Sequence, residues 1–136
     1  MEIERPSASV MQIPPVVKAA RVLFVLNALI WLAIGIASLL RMGTAQQPAP
    51  PVVLLVVALL MFANAAAMLL VAAGLTRRRQ LFFWLGIAVL LVNVLLTFTD
   101  QFGILDLVTL LIDLALFGLL VASRSFYLQS QVSIQS

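Results

Sequence analysis

Between Arg21 and Arg41 the chain runs through residues 22–40 without a single charged side chain, and the pattern recurs at 52–75, 81–98 and 104–122, where Asp106 and Asp113 are the only charges. Each stretch is close to the roughly 20 residues that an α-helix needs to cross the hydrocarbon core of a bilayer. A membrane β-barrel would instead alternate apolar and polar residues over segments of about ten. Residues 52–61 are apolar on every side. In lipid the backbone hydrogen bonds must close within the segment, which leaves the α-helix.

Composition points the same way. Hydrophobic residues make up 64% of the 136 and charged residues 10%, against about 45–50% and 25% in soluble domains. A particle this small cannot hide so much apolar surface in its own interior. The sequence therefore predicts an all-α integral membrane protein, a four-transmembrane-helix antiparallel bundle, because short connections set neighbouring helices antiparallel. Residues 1–21 read as an N-terminal tail, 22–122 as the transmembrane domain and 123–136 as a C-terminal tail. The second span opens after Gln47-Pro48-Ala49-Pro50-Pro51, since proline is tolerated at a helix start and not in its middle. The cluster Arg77-Arg78-Arg79 closes it, and a turn with Asp100, Gln101 and Gly103 joins the third span to the fourth.

Arg5, Lys18, Arg21, Arg77, Arg78, Arg79 and Arg124 fall on one side of these spans and Arg41 alone on the other. Lys and Arg concentrate on the cytoplasmic side, so both termini are expected in the cytoplasm and the protein in a cytoplasmic (inner or cell) membrane. Anionic membrane lipids are the natural counter-charge for a net +3. Nucleic acid is not an expected partner, for the basic residues are few and lack interleaved aromatics. The first span is longer than the 7–15 apolar residues of a signal peptide, and Arg41 interrupts the approach to Gly43-Thr44-Ala45, so it is expected to be retained. Phe82, Phe83, Trp84, Phe126 and Tyr127 are expected as an aromatic belt at the cytoplasmic boundary, with Phe98 and Phe102 at the other.

Each span carries a polar residue well inside its ends: Asn27, Asn64, Asn93 and Asp113. Counted from the cytoplasmic end of each apolar stretch, Asn27 lies about 7 Å deep and Asn64, Asn93 and Asp113 roughly 16, 18 and 13 Å. The last three are thus expected to share a layer. An Asp at a helix centre costs about 2.5–3.5 kcal/mol to insert, which the Leu, Ile, Val and Phe of its span offset at about 0.3–0.6 kcal/mol each. No His exists in the chain, and no Lys or Arg lies inside a span to pair with it. Asp106, Thr109 and Asp113 share one face of the fourth helix, and Asn93, Thr97 and Asp100 share one face of the third. Together they outline a polar seam from the outer surface to the membrane centre, closed below Asp113 by Leu116, Phe117 and Leu120 unless Asn27 of the first helix continues it. Gly35, Gly86 and Gly118, with Ala33/Ala37 and Ala63/Ala67, are expected at close helix contacts.

Without His or Cys there is no disulfide, thiol redox pair, imidazole haem ligand or His/Cys zinc site to build. No nucleotide-binding glycine motif is present. No cofactor is expected and the chain does not read as an enzyme. The leading expectation is a small non-catalytic membrane protein, an accessory or interaction subunit or a self-associating bundle, with homo-oligomers or other membrane subunits as partners. The alternative is a small oligomeric proton- or cation-coupled transporter or channel using Asp113. The number and length of the spans resemble those of the small multidrug resistance family, whose first helix carries an intramembrane Glu. Here Glu4 is the last Glu in the chain and Asn27 is the strongly polar residue of the first span, so no drug-export function carries over.

Overall fold

A computed structural model describes residues 12–42, 44, 49–77, 79–99 and 103–128. Among them every element is helical: α1 (Pro15–Leu40), α2 (Pro51–Gly74), a single 3₁₀ turn (Leu75–Arg77), α3 (Gln80–Thr99), α4 (Ile104–Ala122) and α5 (Arg124–Leu128). Three helical stretches, Pro15–Leu40, Pro51–Arg77 and Ile104–Ala122, are long and apolar enough to cross a membrane, and α3 contributes a shorter apolar stretch, Gln80–Leu95.

Two proline pairs start the first two helices in the same way. Pro14 and Pro50 stand as N-caps in extended conformation with Pro15 and Pro51 at the first helical position, where a missing N–H costs nothing. The Pro14 carbonyl accepts from the Val17 and Lys18 amides, and the Pro50 carbonyl from those of Val53 and Leu54. Helix α1 consequently begins at Pro15, ahead of the apolar stretch that starts at Val22, and its first turns carry Lys18 and Arg21 exposed. Helix α4 starts differently: the Asp106 carboxylate accepts the Gly103 amide at 2.8 Å, satisfying a donor at the positive end of the helix dipole.

The buried positions recur at alternating spacings of three and four. On α3 they include Phe83, Gly86, Leu90, Asn93 and Thr97; on α4, Thr109, Asp113, Leu116 and Leu120; on α2, Ala65, Met68 and Ala72, continued by Leu75 in the 3₁₀ turn. That spacing puts the buried residues of each helix in one stripe, the side turned to its neighbours. Helix α1 lies along α2 and against α4, while α3 packs on α4 and α2. The small residues at the seam are Ala20, Ala28, Ala58, Ala65 and Ala72. The expected pairs Ala33/Ala37 and Ala63/Ala67 instead sit partly or fully exposed. Sequence could not decide between these faces because the helices are apolar all round.

Gly86 lies where the main helices converge: a methyl placed there would stand 3.1 Å from Leu120 of α4, 3.2 Å from Val71 of α2 and 3.5 Å from Phe24 of α1. Gly74, at the end of α2, has the ring of Phe82 where any β-carbon would go. Gly35 is buried beside Phe62, whereas Gly118, also expected at a contact, is exposed with nothing nearby. Below the seam, the Tyr127 hydroxyl donates to the Leu75 carbonyl at 2.7 Å, and its ring packs on Phe83 and Phe126 with centroids 5.5 and 5.2 Å apart. Of the expected aromatic belt, Trp84 does face outward, 60% exposed, but Phe83 and Tyr127 turn inward. The Phe98 side chain and Phe102 fall outside the described part of the chain.

Candidate functional site

The most unusual group in the molecule is a carboxyl buried among apolar helices. Asp113 of α4 is fully buried, and so are Asn27 of α1 and Asn93 of α3. The Asn27 amide donates through Nδ2 to Asp113 Oδ1 at 2.7 Å, joining residues 86 apart in sequence. Asn93 is the second amide beside that carboxyl, although neither of its polar atoms completes a hydrogen bond.

Three helices thus supply the site, each from a position on its buried seam, but they are not the three that depth counting selects. Asn64, expected in the same layer, is half-buried with its Nδ2 unpartnered, and the bonded amide is that of Asn27. Counting from the ends of the apolar stretches does not fix the layer, because packing sets how far each helix slides along its neighbours, and the Asn27–Asp113 hydrogen bond brings Asn27 level with Asp113. Asn64 precedes Ala65, the seam residue of its turn, and so points to one side of the seam.

The upper part of the expected seam is assembled on faces but not as a connected polar chain. Thr97 and Thr109 are both buried, yet each hydroxyl donates to its own helix, to the Asn93 carbonyl at 2.9 Å and the Asp106 carbonyl at 3.0 Å. Asp106 is half-buried and occupied with the Gly103 amide. Asp100 lies outside the described residues. Toward the other end the site is closed: Leu116 and Leu120 are fully buried beneath Asp113 together with Phe24, Val71 and Leu90. Phe117, expected on this face, is turned outward.

The site retains unused hydrogen-bonding capacity. Asp113 Oδ2, Asn27 Oδ1 and both amide atoms of Asn93 are buried without a partner, and so is Trp31 Nε1 one turn along α1 from Asn27. Such atoms are rare in folded proteins because each costs about 1–3 kcal/mol when desolvated and unpaired. Chemically the group can tie three helices together, exchange a proton at its carboxyl, or offer oxygen ligands to a hard cation. Among the described residues no three His, Cys, Asp or Glu side chains gather as a metal site.

No protein-family model, no curated protein and no solved structure matches the chain.

Proposed function

We propose that the chain is a non-catalytic polytopic membrane protein, a four-helix antiparallel bundle that works as an accessory or interaction subunit or by self-association. It sits in a cytoplasmic membrane with both termini on the cytoplasmic side. The Asn27–Asp113 contact carries this reading. A hydrogen bond between membrane helices contributes about 0.6 kcal/mol on average, too little to offset an intramembrane Asp at about 2.5–3.5 kcal/mol. The pair is better accounted for as a device of specificity: it sets the register of α1 against α4, since sliding either helix by one turn would expose a carboxyl to apolar surroundings. Outside the seam the helices present Leu, Ile and Val almost continuously, the surface expected of a chain whose neighbours are lipids and other membrane helices, whether a second copy or another subunit. Purification of the full chain in mild detergent, followed by mass analysis of the intact particle, tests this. The expected particle holds a second copy or a co-purifying membrane subunit; a lone monomer overturns the reading.

One observation favours the second reading, a small oligomeric proton- or cation-coupled transporter or channel. The unpartnered side-chain oxygens of Asn27, Asn93 and Asp113 are those a transported cation would use, and intramembrane acids commonly serve proton relays. In reconstituted vesicles, Asp113→Asn would then abolish a proton-coupled flux that the native chain supports. Equal flux in both would remove Asp113 from any transport role.

A further inference from the structure

At the end of the molecule where α1 begins, a cleft of about 430 Å³ is lined by Ile13, Lys18, Arg21, Val22, Val25 and Thr76. Its volume is within the range of small-ligand sites, about 300–1,000 Å³. Four of its residues, at 18, 21, 22 and 25, follow the i, i+3, i+4, i+7 spacing that places them in one stripe on α1. Along that stripe the chemistry changes in order. Lys18 and Arg21 stand at the start, exposed, and Val22 and Val25 follow where the apolar run begins. Thr76, in the 3₁₀ turn after α2, also lines the cleft and is its one hydroxyl-bearing residue among those described.

We propose that this cleft is a binding site for one anionic phospholipid, its headgroup phosphate held by Lys18, Arg21 and Thr76 and the start of its acyl chain laid against Val22 and Val25. Charge complementarity selects this occupant. Among the described residues no acidic side chain lines the cleft; Asp106 is engaged at the far end of α4 and Asp113 is bonded to Asn27. Two cations over an aliphatic floor match an amphiphile whose charge and tail are adjacent. Basic recesses between membrane helices recognise lipid headgroups on the same terms. The inference needs the membrane location and is independent of whether the chain acts as a subunit or a transporter.

Native mass spectrometry of the full chain, released from micelles doped with equal phosphatidylglycerol and phosphatidylcholine, tests it. The native chain is expected to retain phosphatidylglycerol preferentially. Replacing both cations (Lys18→Gln, Arg21→Gln) should weaken that retention about 30-fold, fivefold for each charge near the membrane surface. Arg79→Gln with Arg124→Gln removes the same charge from exposed positions outside the cleft and should weaken it less than about threefold. Thr76→Val, which leaves the charge unchanged, should weaken it about threefold. Equal retention of the two lipids, or an equal loss in the two double variants, overturns the site. Displacement of the lipid by inorganic phosphate at matched concentration would assign the cations to a free anion and overturn the lipid assignment.

Discussion

On either side of the Asn27–Asp113 contact the same helices behave differently. Toward Pro15 and α5, large side chains are locked together: Val17, Phe24, Met68, Val71, Leu75, Phe83, Leu90, Leu116, Leu120 and Tyr127 are all buried. Toward Leu40 and Ile104, the buried described residues are small or polar, namely Ala28, Gly35, Ala58, Thr97 and Thr109. The first turns of α2 and α4 are exposed on almost every side, Ile104 at 85%. Hydrophobicity does not separate the two halves, since both are rich in Leu and Val. Shape does: bulky residues on the seam interdigitate around Gly86, whereas small ones leave the large side chains beside them exposed. One half is therefore held by packing, and the other is only lightly packed.

The sharpest test of that contrast replaces one large residue in each half. Phe24→Ala should destabilise the purified protein by about 3 kcal/mol or more, because a cavity opens where α1 meets α2, α3 and α4. Leu60→Ala, at a site 61% exposed, should cost less than about 0.5 kcal/mol. Denaturant unfolding in bicelles measures both, and equal costs would erase the distinction. Two glycines sharpen it next. Gly86→Leu should cost about 1–3 kcal/mol by overpacking, while Gly118→Leu should be close to neutral in the same assay.

The boundary between the halves can be examined directly. Asn27→Leu should cost about 0.6–1.7 kcal/mol, and a double-mutant cycle with Asp113→Leu, which removes the acceptor, should return a coupling of similar size. Additive effects would mean that the contact does not link the helices. Tyr127 gives the smallest effect, in the packed half. Burial pushes its phenol from the ordinary 10.0 up to about 12, so the folded chain holds that proton more firmly than the unfolded one. The stabilisation is then complete below pH 10 and is lost as pH rises toward 12. Tyr127→Phe should cost about 0.5–1.5 kcal/mol at neutral pH and flatten this part of the pH profile in thermal unfolding.

Much of this was open to reading from residues, and the failures have identifiable causes. Helical character, the apolar stretches and the distinction of Asp113 follow from charge spacing and transfer cost. The start of α1 is legible as well, because Pro14-Pro15 carries the same helix-start signal as Pro50-Pro51; the layer of Asn27 is not, because packing and not helix length sets the register. The inward faces are hidden by uniform hydrophobicity, yet the polar residues mark them. Stepping back from Asn93 by three, seven and ten residues reaches Leu90, Gly86 and Phe83, all buried. Asn64 breaks that rule by one position. The hydroxyls of Thr97 and Thr109 could be assigned to a face but not to an acceptor, since a threonine in a helix can always turn to its own backbone. Nothing local to Tyr127 announces that it will reach Leu75.

That last contact also imposes an order of assembly. The carbonyl at the end of α2 finds its donor 52 residues further along, so a ribosome working at about 5–20 residues per second delivers the second helix several seconds before its latch. Until α5 emerges the Leu75 carbonyl has no Tyr127 hydroxyl to accept. This contact is in that sense completed well after the helix it closes, by the last described turn.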